Sequence, residues 1–256
     1  MFRFFRQIRH NLLSDNMKSK YIKYALGEIA LVVIGILIAL QINNWNENRK
    51  DEKALNEYLV KIKSHTQEDL LQLEQMIDGR TKTLKDCKKA RKSMLDKTES
   101  ANLSLFMATG FAFFDYYFKP NTGGYEALKN SRYFGKINNT PLDSLLANYH
   151  AQIGQIAHNE KNYNDFAEDQ EAYLSTQFDR SLMLAYAFVP PDSLKLRATP
   201  QSEYFESFAK YTASIPYRNV VSVAAFQFEA MIYQYEQLSA SGHIIIEEIN
   251  TIVADE

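Results

Sequence analysis

Apolar and polar positions follow two different patterns along this chain, and the change between them divides it. From Ala25 to Ile42 almost every residue is apolar, with no polar side chain between Ile29 and Leu40. That run of roughly 18 residues makes about 27 Å of helix, enough to cross a hydrocarbon core. A buried core helix would carry a polar stripe, and a cleavable leader would end in small residues. Here the run ends Leu40-Gln41-Ile42-Asn43-Asn44-Trp45, so the pattern predicts an uncleaved transmembrane anchor over 21–45. Tyr21 and Tyr24 before it and Trp45 after it suit the two membrane interfaces.

After Trp45 the pattern becomes periodic. Leu55, Leu59, Ile62, Leu73, Met76, Leu84 and Cys87 recur in steps of three and four, with Thr66, Asp69 and Arg80 as polar intruders on the same stripe. Only Gly79 interrupts, which predicts one helix over 46–97 continuous with the anchor, a stalk of about 75 Å. Its distal third is basic: Arg80, Lys82, Lys85, Lys88, Lys89, Arg91, Lys92 and Lys97 face only Asp86 and Asp96. Such a face suits an acidic partner or envelope polymer; a solvated helix surface is the plainer reading.

A connector thick with aromatics follows, from Phe106 to Tyr125. It is broken at Pro120-Asn121-Thr122-Gly123-Gly124, where Thr122 is placed to cap a short helix over 124–130. The cluster reads either as the lining of a ligand groove or, more simply, as the plug of a bundle end. Pro141 then opens a second long helix with a stripe from Leu142 through Leu146, Tyr149, Ile156 and Tyr163 to Phe178. Pro190-Pro191 and Pro200 mark loops. Further helices are expected near 203–212 and from Pro216 to about Leu238, with an apolar tail, 244–253, that packs. Strand alternation is short and rare. The fold class expected is all-α: one N-terminal transmembrane helix continuous with an elongated antiparallel helical bundle, over 46–256.

Charge sets the orientation. Arg3, Arg6, Arg9, Lys18, Lys20 and Lys23 precede the anchor, against Arg49, Lys50 and Lys53 after it, which points the N-terminus to the cytoplasm. The bulk of the chain is then periplasmic if the cell is Gram-negative. In the 1–20 leader, Phe2, Phe5, Ile8 and Leu12 recur beside Arg3 and Arg6, as in an amphipathic helix lying on an anionic leaflet. A positive segment that only sets topology explains the same residues. Either leaves little room for an output domain on that side.

Within the anchor, Glu28 stands near the inner edge of the hydrocarbon, and Gly35 and Ala39 form a small-xxx-small step. Together they are the candidate contacts to a partner helix; the alternative is a carboxylate that snorkels to the headgroups and touches nothing. The lipid bilayer is the first expected partner, and another membrane protein or a second copy the next. Formal net charge is −2 over 256 residues, which offers nothing to nucleic acid. The single cysteine, Cys87, has no internal partner and is expected to be buried.

The string GEIALVVIGILIALQINNWNE, behind a basic leader, resembles the opening of a domain-of-unknown-function family (number 6090) of single-pass bacterial membrane proteins. A second likeness lies in Gly124-Tyr125-Glu126-Ala127-Leu128-Lys129-Asn130-Ser131. The resemblance implies a single-pass protein of the bacterial inner (cytoplasmic) membrane with a helical domain outside the cytoplasm. It brings no activity and no catalytic residues.

Chemistry is sparse. His10, His65, His150, His158 and His243 show no metal-ligand spacing. His158-Asn159-Glu160 is similar to the His-x-Glu of zinc deaminases, without the two cysteines. No cofactor, metal or catalytic residue is assigned, and an enzyme is not expected. The expected role is a scaffold or regulatory subunit of an envelope assembly. A ligand-sensing module that signals to a separate membrane partner is the alternative, favoured by a cavity among the connector aromatics.

Overall fold

The computed structural model describes residues 17–96, 103–181 and 201–254. Among them the regular structure is helical throughout, without strands. Helix α1 spans Met17–Asp96, α2 Leu103–Thr109, α3 Gly123–Lys129, α4 Pro141–Gln177, α5 Gln201–Ala213 and α6 Ile215–Ala254. Short 3-10 turns lie at Gly110–Phe113 and Phe134–Lys136.

The chain forms two compact units that divide between Glu57 and Tyr58. Leu59 is the first fully buried side chain, which is why the second unit starts there. The first unit is the N-terminal part of α1. Its apolar run is bare among the described residues: Leu26, Leu31, Leu37 and Ile42 are each more than half exposed, and none of the apolar window is buried. This helix is long and apolar enough to cross a membrane. The leader residues Phe2, Arg3, Phe5 and Arg6 lie outside the described residues.

The second unit is a bundle of the rest of α1 with α4 and α6. Contacts fix the directions. Along α4 and α6, Asn159 meets Gln234, Tyr163 meets Phe228 and Asn219 meets Gln170, so the two run antiparallel. Along α1 and α6, Arg80 meets Tyr235 and Lys88 meets Glu229, again antiparallel. Helix α1 therefore runs parallel to α4, and the aromatic connector makes the crossover between them. Leu59, Leu73, Met76, Leu142, Leu146, Tyr163, Phe228 and Leu238 fill the core. Cys87 is among them, and burial pushes its thiol up to about 12, so it stays protonated and inert.

Local rules account for the helix ends. Thr140 caps α4 by accepting the Asp143 N–H, with Pro141 in the first turn where no N–H is needed. Helix α6 differs from expectation. The segment from Pro216 to Leu238 and the apolar tail are one helix of 40 residues, and Gly242 does not break it. A Cβ there would come within 3.0 Å of Leu70 and 3.2 Å of Thr66, so glycine lets α6 approach α1 closely.

Gly124 performs a similar service for α3. A Cβ on it would sit 3.1 Å from the backbone nitrogen of Ile62 and 3.1 Å from Nδ1 of His65, and the backbone of α1 has nowhere to go. Gly124→Ala is therefore expected to destabilise the folded unit by about 1–3 kcal/mol, although alanine is the better helix former. Thermal unfolding of the full chain in mild detergent measures this, and a raised melting temperature would contradict it.

Candidate functional site

The residues from Phe114 to Thr122 belong to no helix; Phe118 among them is buried and the rest are half-buried or exposed. Their amide hydrogens need acceptors. Side chains one turn apart along α1 supply them. Gln72 Oε1 accepts from Lys119 N at 3.0 Å, Asp69 Oδ1 from Asn121 N at 2.7 Å, and His65 Nδ1 from Gly124 N at 2.9 Å. Glu68 adds a bond from the Asn121 side-chain amide at 2.7 Å. From the other side, both oxygens of Glu160 on α4 accept the Phe118 N–H, at 3.1 and 3.0 Å. Arg80 Nη2 donates to the Tyr116 carbonyl at 3.0 Å, and the Tyr163 hydroxyl to the Ala112 carbonyl at 2.6 Å.

These acceptors correct the expected cap of α3. The helix starts at Gly123, and the Thr122 side chain caps nothing. Thr122 has helical dihedrals rather than the extended ones a capping residue needs, and His65 takes the orphan N–H in its place.

Beneath the connector two polar clusters are buried. In one, the Tyr235 hydroxyl donates to Glu160 at 2.7 Å and accepts from Arg80 Nε at 3.1 Å, while the guanidinium lies 4.4 Å from the Phe228 ring centroid. A single phenol thus links a buried cation and a buried anion. In the other, the Tyr149 hydroxyl donates to Asp69 at 3.1 Å. Thr66, Asp69 and Arg80, the intruders on the α1 stripe, are all nearly inaccessible. Burial raises the carboxyl pKa of both Asp69 and Glu160; the hydrogen bonds from Asn121, Tyr149, Tyr235 and Phe118 oppose it without cancelling it.

The described histidines are structural or solvated, and His10 lies outside the described residues. His65 is a backbone acceptor, and His150 stacks on Tyr125 with centroids 4.0 Å apart, burial lowering its pKa. His158 is exposed, whereas Glu160 points into the core, because residues two apart on a helix face different ways. Among the described residues, no three of His, Cys, Asp and Glu converge to hold a metal.

The connector aromatics divide. Phe113 and Phe118 are buried, and Phe113 stacks on Tyr217, whose hydroxyl meets Thr109 in a short hydrogen bond. Phe111, Phe114 and Tyr116 are exposed. Tyr149 belongs to the separate Asp69 cluster.

In the N-terminal unit, Glu28, Gly35 and Ala39 are exposed and share one face of α1, since their spacings of seven and four are close to whole turns. Nothing lies within 4 Å of a Cβ on Gly35. Tyr21, Tyr24 and Trp45 are also exposed, with the Arg49 guanidinium 5.4 Å from the Trp45 ring centroid.

A family model described as a family of unknown function, DUF6090, matches residues 28–181. The chain belongs to that family. The match begins at Glu28, inside the apolar run, and takes in every acceptor to the connector from His65 to Glu160; α5 and α6, including Tyr235, lie beyond it. No curated protein and no solved structure matches the chain.

Stability should report the Glu160 carboxyl directly. With its pKa raised, the folded state takes up a proton at higher pH than the unfolded state does. Wild type should therefore gain stability relative to Glu160→Gln as pH falls from 8 toward the ordinary carboxylate range. Melting temperatures of both proteins across that range test this, and a gap that does not move with pH would refute it.

Proposed function

We propose that the chain is a membrane-anchored helical scaffold or regulatory subunit of an envelope assembly. In this reading residues 21–45 span the bacterial inner membrane once, with the N-terminus cytoplasmic and the bulk of the chain periplasmic. The observation that carries the reading is the uncovered apolar run. A helix that leaves Leu31 72% exposed and every other large aliphatic side chain from Leu26 to Ile42 at least 47% exposed needs lipid or another chain around it.

The second unit supports a binding role over chemistry. Asp69 and Glu160, its buried carboxylates, are spent on backbone amides of the connector. The connector aromatics Phe111 and Phe114 stand exposed between two half-enclosed hollows, and an exposed apolar ridge favours scaffolding over the sensing of a small ligand. Glu28, Gly35 and Ala39 form the face of the anchor best suited to a partner helix: small residues let a second backbone approach, and the carboxylate offers a polar contact in lipid.

The test is fractionation with a topology reporter. The full chain should stay in the membrane pellet after alkaline carbonate extraction, and a reporter active only outside the cytoplasm should work when fused after Glu256. Release into the supernatant would remove the anchor, and a silent reporter would reverse the orientation. Glu28→Gln should lower recovery of a cross-linked partner from membranes several-fold while leaving the pellet fraction unchanged; equal recovery would return Glu28 to a headgroup role.

A further inference from the structure

Two largely apolar hollows lie side by side on the second unit, and Arg80 and Tyr116 of the connector network line the larger one. One, of about 440 Å³, opens between the Gly79–Asp86 stretch of α1 and the α2 region. The other, of about 310 Å³, opens between the α2 region, Arg180 and Tyr211. Met107, Phe111 and Phe114 border both, so they form a ridge between the hollows. Phe111 is 69% exposed and Phe114 53%, and their rings meet edge to face at 5.7 Å.

This ridge is held from beneath. The residues between the two rings, Ala112 and Phe113, are buried; the Ala112 carbonyl is bonded by Tyr163 and Phe113 is stacked on Tyr217. The turn thus presents two apolar rings to solvent from a rigid seat. Such a preformed surface costs little further ordering when it is covered.

Charge lies along one side of it. Lys82 and Arg80 line the larger hollow against one carboxylate, the half-buried Asp86, and Lys85, Lys89 and Lys92 continue from Lys82 along the same side of α1, all exposed. The stripe covers about 15 Å, roughly three helical turns. Lys82 pairs with Asp78, but among the described residues no ion pair engages Lys85, Lys89 or Lys92. A two-fold pairing of copies through this face would set the stripe against itself, which like charges oppose.

We propose that the groove docks an acidic amphipathic helix of a partner protein. Apolar side chains about one turn apart fill the hollows on either side of the Phe111–Phe114 ridge, and carboxylates on the flank pair with Lys82, Lys85 and Lys89. This is the helix-in-groove mode, with charge setting the polarity of the partner. The inference rests on the scaffold reading and gives the partner of that scaffold a chemistry.

The test uses the full chain in nanodiscs of zwitterionic lipid, with empty discs as the control. The probes are three labelled 18-residue peptides: an amphipathic helix with Leu and Phe on one face and Glu on the other, the same peptide with Lys for Glu, and a scramble of the acidic one. Fluorescence anisotropy should show the acidic helix binding at least tenfold more tightly than either control. The pairs Phe111→Ser with Phe114→Ser and Lys85→Glu with Lys89→Glu should each weaken it at least tenfold, with circular dichroism and melting unchanged. Added salt should weaken it further.

Equal binding of the three peptides would overturn the proposal. Loss with the lysine pair alone would mean a polyanion site, and loss with the phenylalanine pair alone a generic greasy patch; both overturn it. So would a fall in copy number per disc with the phenylalanine pair, which would make a second copy the occupant. Protection of this surface from labelling in the chain alone would mean that the chain itself fills the groove, and that too would overturn it. Failure here with the protein still firmly in the membrane pellet would sink the groove and leave the anchored scaffold standing.

Discussion

The second unit depends on side chains meeting the hydrogen-bonding demand of an irregular segment. A crossover between parallel helices has to carry non-helical backbone over the bundle, and each buried amide without an acceptor would cost about 1–3 kcal/mol. Helix α1 answers with His65, Glu68, Asp69 and Gln72, and α4 answers with Glu160. Arg80 balances them from the donor side at Tyr116. Once those bonds are made, the path of the connector is set. The inward rings of Phe113 and Phe118 then fall into the core, and Phe111 and Phe114 are left outside.

The same bonds explain why charged groups are tolerated in a bundle core. Arg80 and Glu160 do not touch as an ion pair; Tyr235 stands between them and satisfies both. Aromatic faces cover the rest of the guanidinium. Removing any member leaves another stranded in low dielectric, so the cluster specifies one register of α1 against α6 more than it adds net stability.

Much of this is legible in the chain and some is not, for reasons that can be named. The apolar run, the α1 stripe and the α4 stripe are local periodicities, and the helices follow them closely. Thr66, Asp69 and Arg80 stand out as breaks in a stripe; Thr66 bonds to the Ile62 carbonyl one turn back, but the partners of the other two lie far along the chain, Asn121 for Asp69 and Tyr235 for Arg80. Pairing across such separations leaves no mark in spacing. Glu160 shows in the sequence only beside His158, and its role stays hidden there because a backbone amide has no side-chain signature. The orphan amides around Pro120 are the available signal, since a proline-broken, glycine-rich segment cannot bond to itself. Gly242 illustrates the opposite case. A glycine lowers helix preference locally, and only the approach of Leu70 and Thr66 reveals why α6 keeps one. Thr122 satisfies the composition rule for a cap, yet the acceptor comes from a different helix.

The antiparallel register of α6 has a mechanical corollary. Gly242 lies against Thr66 and Leu70, while Tyr217 at the other end of the helix meets Thr109 and Phe113. Ala254 is thus carried back toward Tyr58, so the polypeptide enters and leaves this bundle at one pole, and Phe111 sits toward the opposite pole. Tension applied through both termini would peel α6 from α1 turn by turn, an unzipping geometry that yields at lower force than sliding helices past one another. A tag or surface tether added after Glu256 would stand clear of the aromatic ridge.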